Sequence, residues 1–215
     1  MDIFSINVSD EIGPISASYT EALKPVCVMV LAHCAGAGMN HSFMISLANS
    51  LADKNITTLR FNFPFLEKKK GRPDPPAVAH KTIAAAMHHA KAKHPDIPLL
   101  LAGKSFGGRM SSQLMALHPE PAVRGLVFYG FPLHAIKKPS IDRAEHLKQV
   151  VAPMLFLQGT RDTLAQWNLI EEVCSALPKA TLIRLEGADH SFKKGKEDLV
   201  PLLADETLKW IKTFV

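Results

Sequence analysis

Ser105 stands at the centre of Gly103-Lys104-Ser105-Phe106-Gly107, and two later segments carry the groups that could activate it. These are Gln158 to Leu164, which contains Asp162, and Glu186 to Phe192, which contains Asp189 and His190. A serine hydroxyl is a weak nucleophile unless a general base takes its proton. His190 can take that proton and later deliver it to a leaving group. Asp162 can accept from the other ring nitrogen, fixing the tautomer and stabilising the imidazolium. Asp189 is the rival acid. It adjoins His190, and neighbouring side chains in an extended loop point apart, which favours Asp162. Acyl transfer also builds negative charge on a carbonyl oxygen, and two backbone N–H donors aimed there lower the barrier by several kcal/mol. Phe106, after the serine, supplies one. His33-Cys34-Ala35-Gly36-Ala37-Gly38-Met39, a run of small residues, offers the other, with Ala35 favoured and Cys34 second.

The bare five-residue pattern also describes a serine capping a helix in a glycine-rich turn, so its meaning depends on the elements around it. Val26–Ala32 is a continuous apolar run, as expected of a strand buried on both faces. His41–Ala52 has helical periodicity, Thr57–Phe63 alternates like a strand, and Ala77–Lys93 is an alanine-rich helix. Leu99–Ala102 reads as a buried strand, Gly107–Leu117 as a helix, and Val123–Tyr129 and Met154–Leu157 as strands. Helix Trp167–Leu177, strand Thr181–Leu185 and helix Leu199–Phe214 follow. Such alternation implies an α/β fold, a mostly parallel central sheet with helices on both faces. The first 22 residues are expected to add one or two antiparallel edge strands. Ser105, Asp162 and His190 then each follow a strand, at the carboxyl edge where such sheets bind ligands.

Length and composition fit a single domain over residues 1–215, with 47% apolar and 21% charged residues. The net charge of +5 is mild, and the only dense basic run is Lys68, Lys69, Lys70 and Arg72, so nucleic acid is not an expected partner. That run is expected to be a solvated loop, with attraction of an acidic substrate as the alternative. Three cysteines without regular spacing argue against disulfides and a zinc site, and no metal or cofactor is expected. No apolar signal core or membrane-length run is present, which points to a cytoplasmic protein without membrane attachment. Of the other histidines, His88, His89 and His94 lie in or near a helix without metal spacing. His41, His80, His118, His134 and His146 have no partner pattern, and all eight are expected to be surface or capping residues.

Leu31 to Met39, Phe61-Asn62-Phe63-Pro64, Gly71 to Pro76, Gly103 to Gly108, Gly159-Thr160-Arg161-Asp162 and Gly187 to Phe192 occur in this order. Together they resemble a small, lidless, dienelactone-hydrolase-like branch of the α/β-hydrolase superfamily, from about residue 25 to the end. The resemblance implies Ser105, Asp162 and His190 as a catalytic triad, with Ala35 and Phe106 as oxyanion donors. It departs at Cys34, where the family usually has glycine. A side chain there narrows the oxyanion loop or brings a thiol to the site. The family also contains members thought to serve as subunits of assemblies, which keeps a non-catalytic binding role as the alternative.

About 23 residues, Phe131 to Pro153, separate two successive strands and must hold a helix near Ala144–Val150, leaving no room for a lid. The expected site is therefore open, bordered by Cys34, Phe65, Phe106, Phe131, Pro132 and Leu133. It suits a small-molecule acyl substrate, an ester or thioester, rather than a long lipid. The sequence leaves the oligomeric state open.

Overall fold

All six residues of β3 (Cys27–Ala32), β4 (Ile56–Phe61), β5 (Leu99–Lys104) and β7 (Met154–Gly159) are buried. A strand can bury every residue only if both faces of its sheet are covered. The side-chain period of two divides β3 between two cores. Val28, Val30 and Ala32 join one layer, and Cys27, Met29 and Leu31 the other. The computed structural model describes residues 2–214. The first layer packs under α3 (Pro76–Lys93), α4 (Phe106–Leu117) and α5 (Trp167–Ser175), through residues such as Ile83, Met110 and Ile170. The second packs under α1 (Ser42–Ala52) and α6 (Val200–Ile211), through Leu47, Leu51 and Leu203. Full burial of each such side chain contributes about 2 kcal/mol.

The remaining strands are β1 (Phe4–Asn7), β2 (Pro14–Thr20), β6 (Val123–Tyr129) and β8 (Ala180–Leu185), giving an eight-stranded sheet of order β1-β2-β4-β3-β5-β6-β7-β8. β1 and β2 pair antiparallel, as does β2 with β4; these are the edge strands expected from the first 22 residues. From β4 to β8 every pairing is parallel. The order reverses between β3 and β5. The chain leaves β3 to one side for β4 and returns on the other side as β5, so the loops after β3 and β5 diverge and open a crevice at the carboxyl edge. Ala32 pairs with Gly103 there, so the Cys34–Met39 loop begins beside the Ser105 turn.

Several details differ from the sequence reading. The segment expected as a helix near Ala144–Val150 is a 3-10 helix, Asp142–Gln149. Its buried residues, Ala144 and Leu147, are three apart, which matches three residues per turn. α5 stops at Ser175, short of Leu177, because Pro178 disfavours helical backbone at the residue before it. A short α2 (Pro64–Glu67) and a two-stranded hairpin of β9 (Lys193–Lys194) and β10 (Glu197–Asp198) were not foreseen. Among the described residues no helix is long and apolar enough to cross a membrane.

Candidate active site

β5 runs into Ser105, and α4 starts at the next residue. Ser105 takes φ 52° and ψ −113°, a left-handed conformation that costs a side-chain-bearing residue about 1–3 kcal/mol. Two contacts hold it there. Its N–H donates to Tyr129 O at 3.3 Å, and its carbonyl accepts from Arg109 N–H at 3.1 Å. The turn closes only because its flanks lack side chains. A Cβ on Gly103 would lie 2.2 Å from Gly108 N, and one on Gly107 would lie 2.5 Å from Ala32 O. The sharp turn thus lets β5, α4 and the end of β3 meet.

Three loops converge on the hydroxyl. His190 Nε2 lies 2.9 Å from Ser105 Oγ, and His190 Nδ1 lies 2.7 Å from Asp162 Oδ2. The Asp162 side chain is 1% exposed. Its Oδ2 also accepts from Gln158 Nε2 at 2.6 Å, and its Oδ1 from Leu164 N–H at 2.8 Å. An acceptor-only carboxylate so held requires Nδ1–H on the ring, which leaves Nε2 free to accept from the serine. Asp189 is oriented otherwise: its Oδ1 accepts from Ser191 and Lys193 N–H at 2.8 and 2.9 Å, within its own loop. The structure therefore brings together Ser105, His190 and Asp162, and leaves Asp189 to shape the turn.

Phe106 and Ala35, the expected oxyanion donors, belong to two segments that start side by side at this edge of the sheet. Phe106 is the first residue of α4, where a backbone N–H has no partner inside the helix. Ala35 lies in the turn after β3, in the loop next to the Ser105 turn. His33 anchors that loop. It is fully buried; Nδ1–H donates to Cys34 O at 2.6 Å and Nε2 accepts from Phe63 N–H at 2.9 Å. Burial pushes the imidazole down to about 4, against the Cys34 carbonyl, which favours the charged ring. A second proton would also set an N–H against the Phe63 N–H. The unfolded ring binds a proton near pH 6.5, whereas the folded ring resists until about 4. The unfolded state thus binds more protons inside this window, so stability rises with pH across it and is lost as the pH drops from 6.5 towards 4. Urea unfolding should lose roughly 3 kcal/mol to His33 between the two ends, with no such loss above pH 7. The slope should flatten in His33→Gln; an unchanged slope would assign the loss to other groups.

The lining differs from expectation. A cleft of about 870 Å³ opens beside His190, between the start of α1 and the β9–β10 hairpin. Cys34, Phe43, Met44, Lys104 and Phe192 line it, so Cys34 does face open space. Phe65 and Phe131, expected to line the site, are each 1% exposed. Phe65 stacks on Phe63 and meets Phe106 edge-on, its N–H held by Asp74 at 2.7 Å. Phe131 packs on Phe128 and Phe156. Both complete the core beneath the site, because aromatic side chains there gain more from burial than from an open edge. The basic loop is also used internally: Lys68 Nζ donates to Ile12 O, and Lys70 pairs with Asp74 at 3.5 Å.

His134 and His146 depart from the surface-or-cap expectation. His134 is buried, with Nε2 accepting from Gln166 N–H at 3.0 Å. His146 is half-buried against Ser112 Oγ at 2.8 Å, and burial pushes it down to about 4. His41 does cap α1, accepting from Phe43 N–H. The sequence reading assigned Lys104 no role. It is 7% exposed and donates from Nζ to His190 O.

Comparison with known proteins gives matches across nearly the whole chain. Residues 25–208 match the family described as alpha/beta hydrolase domain. An alpha-beta serine hydrolase homologue from Coxiella burnetii superposes with a TM-score of 0.79 at 20% identity, covering 98% of this chain and 97% of that one. A dienelactone hydrolase from Anabaena variabilis gives 0.80 at 17% identity, covering 100% and 98%. A serine hydrolase without a lid from Xanthomonas campestris gives 0.75 at 21%, covering 97% and 94%. At these identities the likeness is one of fold.

Proposed function

We propose that this chain, which belongs to the alpha/beta-hydrolase family, is a serine hydrolase that cleaves small carboxylic esters or thioesters through an acyl-enzyme. The hydrogen-bond relay Ser105–His190–Asp162 carries the reading, since each member hangs from the end of a different strand and the distances are 2.9 and 2.7 Å. Ser105 Oγ attacks the acyl carbon as His190 Nε2 takes its proton. The buried Asp162 carboxylate stabilises the imidazolium without taking a proton itself. Phe106 and Ala35 N–H receive the charge on the carbonyl oxygen. Collapse breaks the bond to the leaving group, which departs with the proton from His190. Water, deprotonated by the same ring, then releases the acid and restores Ser105.

The open surroundings support a small acyl substrate. The cleft beside His190 is open and edged by Cys34, Phe43 and Phe192, which suits short acyl or leaving groups. A fluorophosphonate probe should label the native protein at Ser105, and Ser105→Ala should abolish labelling. The same variant should lower kcat on short-chain p-nitrophenyl esters by about 10⁴-fold or more. A folded native protein that neither labels nor turns over any acyl length would favour a binding or assembly role on the same scaffold.

A further inference from the structure

We infer that Lys104 is a positioning residue for His190: the residue that precedes the nucleophile reaches across the site and holds the backbone of the base. The inference rests on the roles given above to Ser105, Asp162 and His190. Lys104 is the last residue of β5, and its side chain turns to the face of the sheet that carries α1 and α6. Its Nζ donates to His190 O and lies 4.9 Å from the centre of the Phe192 ring. A buried ammonium is costly unless a well-placed acceptor and nearby negative charge offset its desolvation. Here the acceptor is the carbonyl of the base itself.

The other contacts of that loop are internal or reach the loop after β7, where Arg161 N–H donates to Ala188 O and Thr160 Oγ1 accepts from Gly187 N–H. Ala188 N–H donates to Leu185 O, Phe192 N–H to Asp189 O, and Asp189 N–H to Lys193 O. They fix the shape of the loop and its seat on the loop after β7, and none of them reaches the Ser105 turn. Among the described residues, and apart from the relay itself, Lys104 is the side chain that joins the two. Gly130 shows how closely these groups gather: a Cβ there would lie 3.1 Å from Lys104 Nζ and 3.5 Å from the His190 ring. A shift of about 1 Å between nucleophile and base can cost about a hundredfold in rate.

The charge on Lys104 is poised to change just above neutral pH. Burial pushes it down to about 8, while Asp162, Cys34 and Asp189 favour the charged form. These groups approach from the loops after β7, β3 and β8, and His190 faces the same point. Above that pH the ammonium becomes an amine, its hydrogen bond to the carbonyl weakens, and His190 is held less firmly.

Native kcat/KM on a short p-nitrophenyl ester should therefore decline near pH 8. Lys104→Met should lower kcat at pH 7 by about tenfold to a hundredfold, with a smaller change in KM, and should lack the decline. Lys104→Arg, whose charge persists, should also remove the decline, and it decides the matter if the Met variant does not fold. Cys34→Ser should retain the decline, which separates the lysine from the thiol. NMR provides a readout that needs no turnover: the His190 ring signals should inflect near pH 8 in the native protein and not in Lys104→Met or Lys104→Arg. If the native serine fails to label, the proposed hydrolase activity fails, and the NMR titration still tests the hold on His190. A folded Lys104→Met with native kcat and an unchanged pH profile would overturn the inference. So would an NMR inflection that persists in both lysine variants.

Discussion

Asp162→Asn should lower kcat on a short-chain ester by about 10⁴-fold while the chain still folds. The buried carboxylate accepts from three donors: His190 Nδ1, Gln158 Nε2 and Leu164 N–H. An asparagine has one acceptor oxygen and presents an NH₂ on its other side. It cannot serve all three donors, and an NH₂ facing His190 forces the ring into the tautomer whose Nε2 carries the proton. That nitrogen then has no lone pair for the serine. Steady-state kinetics with thermal melts on the same preparation would check this. Asp189→Asn is the control, because the hydrogen bonds of the Asp189 carboxylate lie within its own turn and the variant should leave most of the activity. Equal losses in the two variants would refute the assignment of Asp162 as the orienting acid.

Gly107→Ala should destabilise the fold by about 3 kcal/mol or more, enough in a marginally stable domain to eliminate soluble protein. The new methyl would lie 2.5 Å from Ala32 O and 2.6 Å from Ala32 C and His33 O. All three are backbone atoms at the end of a fully buried strand, so none can yield as a flexible side chain would. Gly36→Ala gives the contrast, since nothing lies within 4 Å of a Cβ at that position. Its effect should stay within about 0.5 kcal/mol. Denaturant titrations of both variants measure the difference. Comparable stabilities would show that α4 can draw back from β3 without loss.

The parts of the fold that were legible in the sequence are those with a strong pattern. Strands covered on both faces read as apolar runs, so β3, β5, β6 and β7 were visible, and the Ser105 turn could be placed between a strand and a helix. Asp162 and His190 were legible because each follows a predicted strand, at the carboxyl edge where sheets of this kind gather their functional side chains. Phe65 and Phe131 were misplaced because position after a strand does not say whether an aromatic ring turns outward or into the core. Lys104 was missed although a signal existed. It extends a run of buried residues by two, and a lysine at such a position needs a partner. His33 carried no local signal, since its acceptor role depends on Phe63, which lies 30 residues away in sequence.

The relay spans the chain in one direction. His190 follows Ser105 by 85 residues and Asp162 by 28, and β8 forms the edge of the sheet that is completed last in chain order. During synthesis Ser105 leaves the ribosome well before the residues that would activate it. A nascent chain therefore carries an ordinary alcohol, inert toward passing esters. On the proposed reading Ser105 gains its base only once β8 is paired with β7 and His190 lies over the turn, so the order of synthesis itself would keep the serine silent until that last strand is in place.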